Sequence, residues 1–400
     1  RRRTEEFPEG EAKAGVEEVN RSPRVRQSDG TVTMSSQQIN DRFSTFYNNL
    51  YCSQGKLDDQ KFETFLADLN LPQLTEQDRE YLEAPLNIQE ISRAIKSMPL
   101  NKAPGLDGIP LDFYQSFEDI LSPLLLDIYN EAFQNGSLPQ SITLYSIKKG
   151  RIIQIDQSGF IPNRYGSDNT MRLVNLQYHV YNSTQPTIAL SLDAAKAFDC
   201  VEWEFLFKIL GKFGFGSNFI KWIKTLYDKP SACVLTNGLI SSLFQLQRSM
   251  RQGCWLSPGL FAIAIEPLAQ EFCCHTAIHG INMCSVHNKL LLYADDMLFL
   301  LTKLEESVPI LLDCIEDFTL LSGYKVNWEK SEAMPMSGHC PSSLYKNWRF
   351  CWSSKSIKYL GIKITSDYND MVQMHSSPLI EKTTDFGRWS KIHLSPVGKN

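Results

Sequence analysis

Residues 289–302 read KLLLYADDMLFLLT: an apolar run, then Ala294, Asp295 and Asp296, then a second apolar run. Short apolar runs on either side of such a break predict a β-hairpin packed on a core, with the acidic pair at its tip. Adjacent carboxylates repel one another and are costly beside apolar surface. They suit one of two settings, a solvated acidic turn or a site for a divalent cation that takes oxygen ligands, Mg²⁺ or Mn²⁺.

Around this hairpin lies a chain of 400 residues, 42% hydrophobic and 21% charged, which is ordinary for a soluble globular protein. That length accommodates about two or three cores. The chain opens on Arg1-Arg2-Arg3 without Met, shows no apolar signal region and has no apolar run of membrane-spanning length. A soluble, intracellular chain with no membrane partner is expected, with a start that is either truncated or wrongly assigned. Ten cysteines are scattered without a C-x-x-C pair, which argues for reduced thiols over a zinc module or a disulfide framework. Cys284 and His287 have a ligand-like spacing, but no second pair completes a site.

The net charge of −5 argues against a uniformly basic nucleic-acid binder. Acid exceeds base in residues 1–120, whereas residues 343–400 are basic and carry Trp348, Trp352, Tyr359 and Trp389. That tail suits either a surface that holds phosphates and stacks bases or a solvated face with core aromatics.

Residues 1–34 lack apolar periodicity and are expected to be disordered or a linker remnant. Helices are predicted around Ile39–Leu50 and Phe62–Leu69, and a capping box at Asn87-Ile88-Gln89-Glu90 starts another that ends at Pro99. The loop Asn101 to Gly108 places Lys102 among Pro and Gly, as a plain connection or as a contact to a nucleic-acid backbone. Thr187–Leu192 reads as a buried strand with Asp193 at its end, followed by one helix from Ala194 to Leu210. Asp193 suits a helix cap as well as a metal ligand. Ser257-Pro258 starts a long apolar helix, with Ser as N-cap and Pro as its first residue. A further helix runs from about Ser307 to Leu321 with Gly323 as its stop, and Ile357–Ile364 reads as a last strand.

This order is α+β, a sheet with helices on one face. If neighbouring strand ends set Asp193 beside Asp295, chain-distant carboxylates share two metal ions, as polymerases require.

At seven blocks in order the sequence resembles the reverse transcriptase of a LINE-type (non-LTR) retrotransposon polyprotein. They are NKAPGLDGIP (101–110), DQSGFIPNR (156–164), SLDAAKAFDCVEW (191–203), RQGCWLSP (251–258), YADD (293–296), GYKVNWEKSE (323–332) and YLGI (359–362). The resemblance implies a right-hand polymerase fold: a palm with a ferredoxin-like sheet, helical fingers and a partial thumb. Its boundaries would be an N-terminal helical region at 35–98, fingers at 99–180, palm at 181–335, and primer grip with the start of the thumb at 336–400. It further implies two-metal transfer of dNTPs onto a primer 3′-hydroxyl, with an RNA template and a DNA primer as partners and Mg²⁺ or Mn²⁺ as cofactor.

By the same resemblance Asp193, Asp295 and Asp296 would be the catalytic metal ligands. Phe198 would crowd a ribose 2′-hydroxyl, Gln252 and Gly253 would lie beside the incoming nucleotide, and Lys330 would protonate pyrophosphate. Tyr359, Leu360 and Gly361 would grip the primer, and Lys102 and Arg164 would touch template or nucleotide. Family members act in the cytoplasm and nucleus. The sequence carries no signal of oligomeric state.

Three departures bear on activity. Lys148-Lys149-Gly150 runs directly into Arg151-Ile152-Ile153 where the family has a longer fingers segment with a triphosphate-binding residue. Trp255 replaces a Pro beside the nucleotide. No endonuclease region precedes Ser35, so autonomous transposition is not expected. The alternative to a polymerase is an inactive retrotransposon-derived protein that keeps the fold or nucleic-acid binding. A nucleotidyl cyclase or phosphohydrolase on a similar palm leaves RQGC and YLGI unexplained.

Overall fold

The apolar runs become strands. In the computed structural model Thr187–Leu192 (β1), Leu290–Tyr293 (β2), Asp296–Thr302 (β3), Glu332–Pro335 (β4) and Cys351–Trp352 (β5) form one sheet in the order β2-β3-β1-β4-β5. Neighbours are antiparallel except the parallel pair β4–β5. A separate hairpin joins Ser356–Tyr359 (β6) to Ile362–Thr365 (β7). The residues described are 35–98, 109–136, 152–181, 183–236, 238–250, 254, 256–337, 340, 348–353, 355–371 and 373–374, with short strands at Val25–Arg26 and Val32–Thr33. Those two short strands pair antiparallel inside the stretch expected to be unstructured, the rest of which lies outside the described residues.

The helices are α1 (Ser36–Leu50), α2 (Asp59–Leu66), α3 (Glu76–Glu83), α4 (Ile88–Ser97), α5 (Leu111–Ser116), α6 (Glu118–Asn135), α7 (Gly166–Tyr181), α8 (Ala197–Cys200), α9 (Trp203–Lys212), α10 (Ser217–Leu226), α11 (Ser257–Cys274) and α12 (Leu304–Ser322). The capping box of α4 is present: Asn87 Oδ1 accepts the Glu90 N–H at 3.1 Å and Asn87 N–H donates to Glu90 Oε2 at 3.2 Å. Gly323 ends α12 at φ 75°. A Cβ there would lie 2.4 Å from the Cys200 carbonyl oxygen, so the position takes only glycine.

Helices cover both faces of the sheet, which corrects the expectation of one covered face. Ile188, Leu190, Leu192, Met297, Phe299 and Leu301 pack toward α9, α11 and α12 in the main core. On the opposite face Ala189, Leu291, Leu298 and Leu300 pack with Leu173, Leu176 and Val180 of α7 and with Ile357, Tyr359 and Ile364 of the β6–β7 hairpin. Continuous apolar runs require this, because successive strand residues point to opposite faces.

Three local expectations also change. The single helix from Ala194 to Leu210 starts late, because 194–196 are drawn into backbone pairing, and is split into α8 and α9 at Val201–Glu202, where Glu202 bridges Arg248 and its N–H donates to the Ser322 carbonyl. Ala194 bridges Val326, and Ala195 N–H donates to the Lys325 carbonyl at 2.8 Å. Leu256, not Ser257, is the N-cap of α11, with Pro258 inside the first turn. The strand expected at Ile357–Ile364 folds back on itself around Leu360-Gly361. In the basic tail Phe350 is buried, Trp348 and Trp352 pack against the main core, and Tyr359 is buried, so these aromatics serve packing. Trp389 lies outside the described residues.

Candidate active site

The acidic hairpin is tighter than the sequence suggests. Tyr293 pairs with Asp296, leaving Ala294 and Asp295 as a two-residue turn, with Ala294 at φ 56°. Strand β3 continues against β1 with Met297 opposite Leu192. One more step along that register sets Asp296 across from Asp193, and antiparallel partners lie about 4.5–5.5 Å apart at Cα. Asp193 is exposed, and Asp295 and Asp296 are half-buried. Beneath them lies Tyr324, fully buried. Its phenol is pushed up first by burial and then by the charges of Asp295, Asp193 and Asp296. All three carboxylates are therefore within electrostatic reach of one buried hydroxyl.

Two chain-distant segments hold the aspartates in place. On the β1 side, Asp193 N–H donates to Ser331 Oγ at 3.1 Å, and the Asp193 carbonyl accepts the Asn327 N–H at 2.8 Å. Ser331 Oγ in turn donates to the Asn327 carbonyl at 2.8 Å. The block 323–332 is thus a latch on Asp193. Lys325 and Lys330, both exposed, ride on it.

On the hairpin side, the segment 156–158 runs beside β2. Leu292 N–H donates to the Asp156 carbonyl at 3.0 Å, and Ser158 N–H donates to the Leu292 carbonyl at 2.9 Å. Gln157 is completely buried. Its carboxamide oxygen accepts the Ala294 N–H at 2.9 Å and the Gly159 N–H at 2.8 Å, while its NH₂ donates to the Ala294 carbonyl at 3.3 Å. A side chain on Gly159 would come within 2.2 Å of the Ala294 nitrogen. The strained turn that carries Asp295 is therefore clamped by an amide and a glycine. Asn169 Nδ2 adds a bond to the Leu292 carbonyl at 2.9 Å and one to Tyr359 Oη at 3.2 Å, tying the acidic strand to the β6–β7 hairpin.

The other expected residues fall at different depths. Phe198 is half-buried, stacked on Phe261 at 4.2 Å between centroids and met edge-on by Phe160. Arg164 is used inside the protein: its guanidinium donates to the carbonyls of Ile153, Gln154 and Gln157 and so shapes the segment that holds β2. Tyr359 is buried, and burial raises its phenol. Leu360 and Gly361 form the hairpin tip at φ 47° and 83°. Lys102, Gln252, Gly253 and Trp255, with the junction at Lys148–Arg151, lie outside the described residues.

Gln157, Asn169, Tyr324 and Ser331 carried no role in the sequence reading. Gln157, Tyr324 and Ser331 stand within matched blocks, yet nothing in periodicity or spacing marks a clamp between positions 137 residues apart. Asp193, Asp295 and Asp296 are hard oxygen donors of the kind Mg²⁺ or Mn²⁺ takes, but their carboxylates do not close into a group of three ligand atoms within 4.8 Å of one another. Among the described residues no helix is long and apolar enough to cross a membrane.

Comparison with known proteins shows the family. The sequence profile described as "Reverse transcriptase (RNA-dependent DNA polymerase)" matches residues 138–364, which include all three aspartates. The chain is 30% identical over 382 residues to the Xenopus laevis "Transposon TX1 uncharacterized 149 kDa protein", with 85% of this chain and 29% of that protein covered. It is 23% identical over 275 residues to the Drosophila melanogaster "Retrovirus-related Pol polyprotein from type-2 retrotransposable element R2DM", with 60% of this chain and 25% of that protein covered. The chain thus spans less than a third of either relative. With its carboxylates framed at one end of the sheet and its match across that whole region, the chain belongs to the reverse transcriptase family, of the LINE-type (non-LTR) retrotransposon kind.

Proposed function

We propose that this chain copies RNA into DNA at the sheet end where Asp193, Asp295 and Asp296 meet. The supporting observation is the register that brings Asp296 opposite Asp193 with Asp295 in the adjoining turn. On this reading 181–335 is the palm, and its strand order β2-β3-β1-β4 is that of a ferredoxin-like β-α-β-β-α-β unit. Residues 35–98 are an N-terminal helical region, 99–180 shortened fingers, and 336–400 the primer grip and start of the thumb.

The three aspartates would hold Mg²⁺ or Mn²⁺. When bound, these ions lower the pKa of the primer 3′-hydroxyl and neutralise charge on the triphosphate. The protein's part is positional, since phosphoryl transfer needs little covalent help. The Ser331–Asn327 latch and the Gln157 clamp fix the carboxylates before substrate arrives. The Phe198 ring, backed by Phe261, excludes a ribose 2′-hydroxyl and selects dNTPs. Lys330 delivers a proton to departing pyrophosphate, Gln252 and Gly253 lie beside the nucleotide, and Lys102 meets the template. With Tyr359 buried, Leu360 and Gly361 are the part of the hairpin that reaches the primer. Arg164 supports the site from behind.

A second reading, a fold that binds nucleic acid without polymerising, is favoured by one observation. Where residues 152–154 return to the sheet, Gln154 Oε1 and Glu266 Oε2 are buried without a hydrogen-bond partner. Native proteins rarely leave such atoms unpaired; among the described residues Asn40, Tyr129 and Gln177 also carry one, and Gln154 is the one nearest in sequence to the expected shortened segment.

Primer extension on an RNA template with Mg²⁺ or Mn²⁺ separates the two. The first reading predicts products whose length follows the template and which vanish in Asp295→Ala. Folded protein that retains the primer–template but does not extend it supports the second.

A further inference from the structure

The face of the sheet covered by α9, α11 and α12 holds a second cluster of ligand-type side chains, apart from the aspartates. Glu271 and His275 stand one turn apart at the C-terminal end of α11, and Cys314 faces them from α12. One ligand atom from each lies within 4.8 Å of the other two. The Cys314 Sγ donates toward Glu271 Oε1 at 3.8 Å. The three border a solvent-reached cleft of about 720 Å³ between α2, α11 and α12, whose wall also includes Asp58, Asp68 and Asp317.

We propose that Glu271, His275 and Cys314 form a binding site for a divalent cation of the Zn²⁺ class. The donor set decides the class. A carboxylate, an imidazole and a thiolate suit a borderline-soft ion, whereas Mg²⁺ and Ca²⁺ take oxygen ligands. Tetrahedral zinc, with ligands about 2.0–2.3 Å away, sets its donors roughly 3.3–3.8 Å apart. The Glu271–Cys314 pair already has that spacing, and the imidazole needs to close by on the order of 1 Å. A 3.3 Å contact from Ala277 N–H to His275 Nδ1 is long for a hydrogen bond, so turning the ring toward a cation gives up little.

On binding, the Cys314 S–H bond breaks, an S–metal bond forms, and the proton leaves to solvent. Three protein ligands leave the fourth position to water from the cleft, the pattern of an open, exchangeable site.

The site is separate from the aspartates. Phe261 of α11 stacks on Phe198 beside them, and Glu271 is ten residues further along the helix, about 15 Å at 1.5 Å per residue. The bound cation would clamp α11 to α12, the helix that directly follows the acidic hairpin. The ligand-like spacing in the sequence, Cys284 and His287, lacks a second pair. Cys284 stands in a tight turn at φ 50°, and the ligand grouping found among the described residues is the one on α11 and α12.

The test is Co²⁺ titration of chelator-stripped protein, with Mg²⁺ in excess to occupy oxygen-ligand sites, read by thiolate-to-metal charge-transfer absorption. The expected result is a saturable thiolate band that Zn²⁺ bleaches, absent in Cys314→Ser. Affinity should be weaker in Glu271→Gln and His275→Asn by at least the roughly 10- to 100-fold that even an outer-shell change costs. Zn²⁺ should raise the Tm of the wild type and not that of His275→Asn, a half-exposed position that keeps the test open if the buried Cys314 variant misfolds. The proposal is overturned by the absence of a thiolate band, or by a band that survives Cys314→Ser and disappears in Cys274→Ser.

Discussion

The sheet end that carries the aspartates and the loop that returns to it at 152–157 are neighbours, yet they are finished differently. At the sheet end the backbone of Asp193 is bound through both its N–H and its carbonyl, and Ala294 is bound through both of its polar groups by a single amide. A few residues away Gln154 and Glu266 each keep a buried oxygen without a partner among the described residues. An unsatisfied buried polar group costs about 1–3 kcal/mol, so the contrast is physical. The frame that positions the carboxylates is hydrogen-bonded throughout, whereas the 152–157 side, like Asn40, Tyr129 and Gln177 elsewhere, keeps buried polar atoms without a partner among the described residues.

The largest expected effects are on chemistry. Asp193→Ala and Asp295→Ala should each lower primer extension by more than about 10²–10³-fold, the loss seen when one group stabilising transition-state charge is removed. The double variant should lose little more, because groups that act as a unit are not additive. Additive losses would mean that the two aspartates do not share a site.

At the junction the effect is on stability and depends on pH. Burial holds the Glu266 carboxyl up to about 7, above its ordinary 4.5. Between those values the folded state binds more protons than the unfolded one, so this group makes stability fall as pH rises across that window. Glu266→Gln should remove that slope and stabilise the protein at pH 8 by on the order of 3 kcal/mol, measured by urea unfolding at pH 5 and 8. A slope unchanged by the substitution would show that the junction is not where the protein is strained.

Gly159→Ala should cost about 1–3 kcal/mol, as overpacking does, because its methyl group meets the Ala294 backbone. Thermal unfolding and extension should both fall, whereas Gly211→Ala on α9, where a Cβ meets nothing nearer than 3.9 Å, should leave extension unchanged. Smallest is Lys229→Asn. A non-glycine residue at φ 41° costs roughly 1–2 kcal/mol that Asn partly relieves, and Lys229 is exposed, so Tm should rise slightly.

Local features were legible in the sequence. The apolar runs, the capping box at Asn87 and the stop at Gly323 depend on neighbours a few residues away, and the structure contains each of them. The late start of α8 at Ala197 was not legible, since it arises from pairing with Val326 across more than a hundred residues. The same holds for the Gln157 clamp and for Tyr324, whose roles exist only once β1, β2 and the 323–332 latch are side by side. Arg164 shows the converse. Its charge suggested a ligand outside the protein, and its guanidinium is taken up by three carbonyls within it.

The most direct test of the central claim is single-nucleotide incorporation on four RNA templates that differ only in the first unpaired base, with a DNA primer and Mg²⁺. The account predicts that wild-type protein adds the complementary deoxynucleotide in each case and that Asp295→Ala adds none. Folded wild-type protein that adds no nucleotide with Mg²⁺ or Mn²⁺, or incorporation that ignores the template base, would contradict it.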